Sequence, residues 1–386
     1  MTGGRALDVP GRERGAIYRR LGVEPIVNGR STFTVLGGSL MPREVVEAMA
    51  LAAECFVDLV ELQAAAGRRL AELTHNEAAF VPGGAAAGLF LAAAASMTRD
   101  VPDGLLRLAD LPALPRDFVV HRAHRIPYLS AVELAGGQLV EVGRLDGTLE
   151  EELEVAVGPA TAAIVYVPKA YLAPSVLPLD VVVGVAQHHG VPVIVDAAAQ
   201  LPPAENLWRF TEAGVDVALF SGGKALCGPA SSGLAVGSRA FIERMAGNAA
   251  PLDRLGRPMK AGKEDVVGLL AAVEWYLGQD HAALNRQYAR IVDHFVTWAR
   301  NRRDVEVTRE ELGEAGQPTP RARLALVGAA PGARDVLLNA LRTTPPRIDL
   351  LAGDEGVFYV APETLVPGEE ALITRRLTAL LGRGRD

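Results

Sequence analysis

One lysine stands where its amine could do chemistry. The chain carries four lysines, Lys169, Lys224, Lys260 and Lys263, against 35 arginines, and Lys224 lies between two turn-forming stretches in FSGGKALCGPASSG, residues 220–233. Guanidinium keeps its charge, whereas an amine can lose a proton and form an imine, so an Arg-rich chain keeps Lys where that difference matters. The competing reading is a loop lysine set there by chance. A carboxylate 28 residues upstream bears on the choice. VPVIVDAAAQ, residues 191–200, is an apolar run ending in Asp196, as a buried parallel strand does when its carboxyl end bears a functional acid. Alone, such an Asp is more often a cap or a turn former. Paired with Lys224 it completes what pyridoxal 5'-phosphate requires: an amine for a Schiff base and a carboxylate to keep the pyridine nitrogen protonated.

Three further stretches offer binding groups, each with a plainer alternative. AAFVPGGAAAGLFLA, residues 78–92, reads as a short strand, a glycine turn and a small-residue helix, whose free amides suit a phosphate dianion. HRAHRIPY, residues 121–128, packs His121, Arg122, His124 and Arg125 together. It is either a surface turn or the source of a flat ring for a cofactor and a cation for a substrate carboxylate. PLDRLGRPMKAGKE, residues 251–264, is either a solvated loop or an anion cradle built from Arg254, Arg257, Lys260 and Lys263. Arg347 is either a surface arginine or a clamp for the substrate α-carboxylate.

The elements that must position these groups alternate in type. Strands are predicted at 117–121, 138–142, 161–167, 192–196, 215–220 and 232–237, with helices between several of them. This is the α/β signature of a mostly parallel sheet covered on both faces, and ligands on such sheets bind beyond the carboxyl ends of the strands, where Asp196 and Lys224 fall. Upstream, Ser39 and Pro42 open one long helix over 43–73, whose stripe from Val46 to Leu62 is core or oligomer interface. Helices over 264–278 and 281–302 follow, then strands at 323–327, 346–350 and 357–360 with helices at 332–342 and 368–381. The expected division is an extended or disordered arm (1–17), an N-terminal segment (18–45), a large domain (46–290) and a small C-terminal α/β domain (291–386).

Composition excludes several classes. A net charge of −7 argues against a nucleic-acid surface, and no apolar run approaches a membrane span. The N-terminus lacks a signal-peptide core, so a cytoplasmic protein is expected. Cys55 and Cys227 fit no metal-ligand spacing, and no metal is expected.

The ordered set LGGSLMPREVVEAM, ELQAAAGRRLAELT, GAAAGL, VDAAAQLPP, FSGGKALCGP and GRPMKAGKE resembles the fold-type I pyridoxal-phosphate enzymes related to selenocysteine synthase (L-seryl-tRNA selenium transferase). Its shorter branch, which resembles D-glucosaminate-6-phosphate ammonia-lyase, is the nearer likeness. The resemblance implies a mostly parallel seven-stranded sheet with a small C-terminal domain. It implies Lys224 as Schiff-base lysine and general base, Asp196 as pyridinium partner and His124 stacked on the ring. Gly84, Ala85, Ala86 and Ser221 would lie near the phosphate, and Gln200 near the ring. A homodimer or larger even oligomer is implied, with 18–45 and the 254–264 segment serving dimer and site. Two departures bear on substrate: Asn28-Gly29-Arg30-Ser31 replaces an Asn-Ala-Ser-Gly-like turn, and Pro82-Gly83-Gly84 replaces Thr-Ser-Gly. Arg30, Arg125, Arg257, Lys260, Lys263 and Arg347 are the candidate substrate cations. A small anionic or phosphorylated amino acid is the expected substrate, since the tRNA-binding domain of selenocysteine synthases is not recognised here. The expected reaction is α,β-elimination of the ammonia-lyase type. Oxygen-dependent oxidative decarboxylation to a carboxamide, racemisation and non-catalytic binding are the alternatives.

Overall fold

Short runs rich in Val, Ile, Ala and Phe set most of the strands, and glycine, proline or a polar residue stands at or within two residues of the end of each. The computed structural model describes residues 15–99 and 114–382, so most of the expected arm at 1–17 lies outside the described residues. The strands are β1 (Ile26–Gly29), β2 (Ala78–Phe80), β3 (Asp117–His121), β4 (Gln138–Val142), β5 (Thr161–Tyr166), β6 (Val193–Asp196), β7 (Val217–Ser221), β8 (Gly233–Gly237), β9 (Val305–Glu310), β10 (Arg321–Leu326), β11 (Arg347–Ala352) and β12 (Val357–Val360). The chain divides into two compact units, one of residues 41–278 and one that joins the segment before 41 to the chain from 279 onward.

The larger unit holds a seven-stranded sheet in the order β2-β8-β7-β6-β5-β3-β4, as expected from the resemblance. Strands β3 to β7 run parallel, and β8 runs antiparallel to both neighbours. Every residue of β5 and β6 is buried, which is why they read as unbroken apolar runs rather than as alternation. One face packs on the helix Ala85–Met97, apolar all round and buried from Ala87 onward, together with Phe118 and Phe241. Leu70, Val195, Phe220 and Leu269 belong to the cluster on the other face. Each fully buried Phe or Leu contributes about 1.5–3 kcal/mol relative to exposure.

The single helix expected over 43–73 is two, Arg43–Ala53 and Leu59–Leu73. Asp58 causes the restart: its carboxylate accepts from Val60 N–H (2.8 Å) and Glu61 N–H (3.0 Å), an N-cap that fits no helix interior. Phe56, in the break, is fully exposed, and Val57 and Val60 are half exposed, so this part of the stripe is not core of the chain.

The smaller unit holds the sheet β1-β11-β12-β10-β9, with β1 parallel to β11 through the pairs Ile26–Arg347 to Gly29–Leu350. Its core gathers Phe295, Leu350, Phe358 and Ile373. A Cβ at Gly29 would stand 2.7 Å from Leu350 Cδ2, so β1 seats there only with glycine at its end. Among the described residues no helix is long and apolar enough to cross a membrane.

Candidate active site

β6 and β7 are neighbours in parallel register, with Asp196 opposite Leu219, so the acid ending β6 and the turn after β7 share the carboxyl edge of the sheet. Backbone hydrogen bonds close the turn that carries Lys224. Gly222 N–H donates to the Ser232 carbonyl (2.9 Å), Gly228 N–H to Gly222 (2.7 Å) and Cys227 N–H to Lys224 (2.9 Å). Glycine is required at 222, because a Cβ would lie 2.0 Å from Ser232 Oγ. Lys224 is partly buried, on a loop with little freedom to move.

Asp196 is 8% exposed and accepts from Ala198 N–H at 3.1 Å. Burial pushes its carboxyl above the ordinary range, and Ala198 N–H, Lys224 and Lys169 pull the other way. A buried carboxylate left on the high side is short of positive charge, and a protonated pyridine nitrogen is a group that would supply it. The turn beyond Asp196 is tied down: Ser221 N–H donates to the Ala198 carbonyl (3.4 Å), and Gln200 N–H to Ala197 (3.0 Å).

The glycine turn lies at the end of β2. Gly84 caps the helix Ala85–Met97 with φ of 121°, a conformation that L side chains rarely adopt. A Cβ at Gly233, in β8, would meet the Gly84 carbonyl carbon at 2.6 Å, and one at Gly83 would meet the Lys260 carbonyl at 2.8 Å. Only bare backbone fits between these segments, and no side chain caps the first amides of the helix. That cradle fits a phosphate dianion. Together with the carboxylate and the amine, it makes the site one that can hold pyridoxal phosphate.

Beside the acid lies an enclosed aromatic group. His121 and His124 are both 0% exposed, with ring centroids 5.1 Å apart, and the His124 ring meets Tyr166 edge-on at 4.7 Å. His124 Nδ1 accepts from Val167 N–H (3.2 Å) and His121 Nε2 from Leu177 N–H (3.3 Å). The neutral tautomers that fit these bonds leave each proton on the other ring nitrogen, which is buried with no hydrogen-bond partner among the described residues. The His124 ring has no solvent-exposed surface, and its Nδ1 holds the Val167 N–H.

Burial lowers His121 to about 4; burial, then His121 and Lys169, lower His124 to about 3. Between the ordinary histidine value of 6.5 and these values, the unfolded chain binds protons that the folded chain refuses, so stability falls as pH drops through that window. Buried Asp196, shifted upward, works with the opposite sign. The histidine effect amounts to about 2 kcal/mol per ring near pH 5. His121→Gln, which retains an acceptor for Leu177 N–H, is therefore expected to flatten the pH dependence of urea stability between about pH 6.5 and 4. An unchanged slope would show that His121 does not set it.

The other candidate cations are placed as follows. Arg125 pairs with Glu133 (3.3 Å) and Glu141 (3.6 Å). Arg257 faces Asp253 at 3.6 Å, and Lys263 Nζ bonds the Ala52 carbonyl (2.5 Å) and Glu264 (2.6 Å). Lys260 is exposed, and it is its carbonyl that meets the Gly83 turn. Arg30 and Arg347 belong to the smaller unit, where Arg30 faces Asp349 (3.8 Å) and Arg347 donates to the carbonyls of Arg342 (2.8 Å) and Glu24 (3.5 Å). A residue missed in the sequence is Lys169, which acts electrostatically on both Asp196 and His124. Its position three residues beyond the apolar run ending at Tyr166 was the available signal.

Among the described residues, Glu154, His188 and His189 form a group that could hold a metal ion. Mutual pairing accounts for it: His189 lies 2.6 Å and His188 3.5 Å from the carboxylate, and they hold Glu154 below the usual range. The two histidines end the helix preceding β6, hence at the opposite edge of the sheet from Lys224.

Comparison with known proteins extends over most of the chain. The family described as L-seryl-tRNA selenium transferase matches residues 27–302. A Streptomyces protein named 5'-C-glycyluridine monooxygenase-decarboxylase is 34% identical over 94% of this chain and 92% of its own. A Salmonella typhimurium protein named D-glucosaminate-6-phosphate ammonia lyase is 31% identical over 96% of this chain and 99% of its own. The solved structure of a D-glucosaminate-6-phosphate ammonia-lyase superposes with a TM-score of 0.80 at 29% identity, covering 97% of this chain and 100% of that one.

Proposed function

The chain belongs to the L-seryl-tRNA selenium transferase family, and from that premise we propose that it is a pyridoxal-phosphate-dependent lyase acting on a small anionic amino acid. The observation that carries the reading is Asp196 at the end of β6 and Lys224 on the turn after its parallel neighbour β7, with the charge of Lys224 acting on Asp196. A lysine and a carboxylate so placed match the two demands this cofactor makes on a protein.

When bound, pyridoxal phosphate supplies an electron sink for the pair left on Cα when a bond there breaks. The chain's own groups do the rest. The amides of Gly84, Ala85 and Ala86 would bind the phosphate, with Ser221 beside it and Gln200 near the ring. Asp196 holds the proton on the pyridine nitrogen. Lys224 Nζ, confined by its turn, takes the proton from Cα and returns it where the reaction needs it. His124 orients the segment from Val167 to Lys169. With a leaving group on Cβ, removal of the Cα proton ends in elimination and release of ammonia.

A second reading has its own support in the Streptomyces relative named a monooxygenase-decarboxylase. In it the Cα carboxylate leaves as CO2 and O2 is the oxidant. The same pair of residues serves both reactions, so the surroundings of the substrate decide between them. Either enzyme would work as a homodimer or larger even oligomer in the cytoplasm, with no nucleic-acid partner.

Amino acids and phosphorylated amino acids supplied to the purified, cofactor-loaded protein test this directly. Ammonia and a keto acid formed without O2 are the expected products. Consumption of O2 with release of CO2 would instead establish the second reading. A protein that shows no cofactor band and turns over none of them would refute both.

A further inference from the structure

We propose that Lys169 binds the α-carboxylate of the substrate that reacts at Lys224, a role that rests on the function proposed above. Sheet order brings the residue to the site. β5 lies between β6 and β3, so the chain leaving β5 at Tyr166 emerges between Asp196, which ends β6, and His124, three residues past the end of β3. Val195, the residue before Asp196, is the register partner of Tyr166.

The turn carrying Lys169 is held on both sides. Val167 N–H donates to His124 Nδ1 (3.2 Å), Lys169 N–H to the Val167 carbonyl (2.8 Å) and Leu172 N–H to the Lys169 carbonyl (2.9 Å). Its ammonium, by contrast, is uncommitted: among the described residues it has no hydrogen-bond or ion-pair partner and meets only the Tyr171 ring, at 5.6 Å. The side chain is partly buried, and its charge reaches both Asp196 and His124. An unpaired, partly buried cation on a fixed turn, within the field of the acid that ends β6, is a receptor for an anion. Arg125, Arg257 and Lys263 in the same unit already have acidic partners. Every amino acid presents one anion at a set distance from its amine, the α-carboxylate, and a substrate whose amine takes the place of the Lys224 amine carries that anion with it.

Two probes isolate this group. O-phosphoserine (both enantiomers) and O-phosphoethanolamine differ only in the α-carboxylate, and each can be titrated into the cofactor-loaded protein by its absorbance change. The unaltered protein is expected to bind one O-phosphoserine enantiomer at least about tenfold tighter than O-phosphoethanolamine. Lys169→Gln is expected to reduce that preference to about twofold or less, leaving O-phosphoethanolamine and the cofactor bound as before. Lys169→Arg should retain part of it. Preference retained in Lys169→Gln overturns the proposal, as does an equal loss for both probes or an unaltered protein that shows no preference. A shift in the pH titration of the cofactor band without loss of preference also overturns it, and makes Lys169 a counter-ion for Asp196. Absence of the band from the unaltered protein would instead break the underlying functional reading.

Discussion

Lys224→Ala is expected to abolish turnover, by at least about 10⁴-fold in kcat, and to remove the borohydride-sensitive absorbance band near about 420 nm. The size of the effect follows from position. Lys224 stands on a turn closed by Gly222, Cys227 and Gly228, next to the acid that ends β6, so no rearrangement of the loop brings another amine to the same point. Lys169 is nearby but is anchored to the end of β5 and directed to the Tyr171 ring. The phosphate cradle around Gly83, Gly84 and Gly233 does not involve Lys224, so the cofactor should still bind, though without its covalent link and more weakly. Retention of the band in Lys224→Ala would sink the assignment. Retained ligand affinity with no turnover in the unaltered protein would point to a binding protein instead.

Asp196→Asn is expected to lower kcat by about 10²–10⁴-fold while leaving the fold at least as stable. The amide keeps an oxygen for Ala198 N–H, now at 3.1 Å, but cannot balance a positive ring nitrogen. The stability forecast has the opposite sign from the catalytic one. Burial already disfavours the Asp196 carboxylate, and a neutral isostere removes that cost above the ordinary aspartate range. A thermal midpoint equal to or above that of the unaltered protein, together with a large loss of kcat, separates electrostatic support of the cofactor from a role in folding. A large drop in the midpoint with kcat preserved would show that Asp196 is structural.

Much of the larger unit was legible because its inner strands, β5 and β6 above all, are buried on both faces. The runs at 117–121 and 138–142 coincide with β3 and β4, and Asp196 was visible as the polar end of an unbroken apolar run. The Asp58 cap was equally local, and it was missed because the apolar stripe on either side of it keeps a helical period. β1 was harder. Four residues, Ile26–Gly29, pair with a strand more than 300 positions away, and no pattern within the segment indicates that partner. The same limit governs the cations: nothing within HRAHRIPY tells that Arg125 meets Glu133 and Glu141.

The sequence by itself determined the class of sheet, the turn that confines Lys224 and the acid at the end of β6, because periodicity, glycine and a strand-end carboxylate are properties of short segments. Only the tertiary structure decided which groups share one site. Lys169 looks like an ordinary loop residue until the order β6-β5-β3 sets it between Asp196 and His124. The enclosure of His124, the pairing of the arginines and the closing of Gly84 by β8 are likewise contacts between distant segments. A strand's neighbours are set by how the whole chain buries its apolar surface, and that is not written in any one stretch of it.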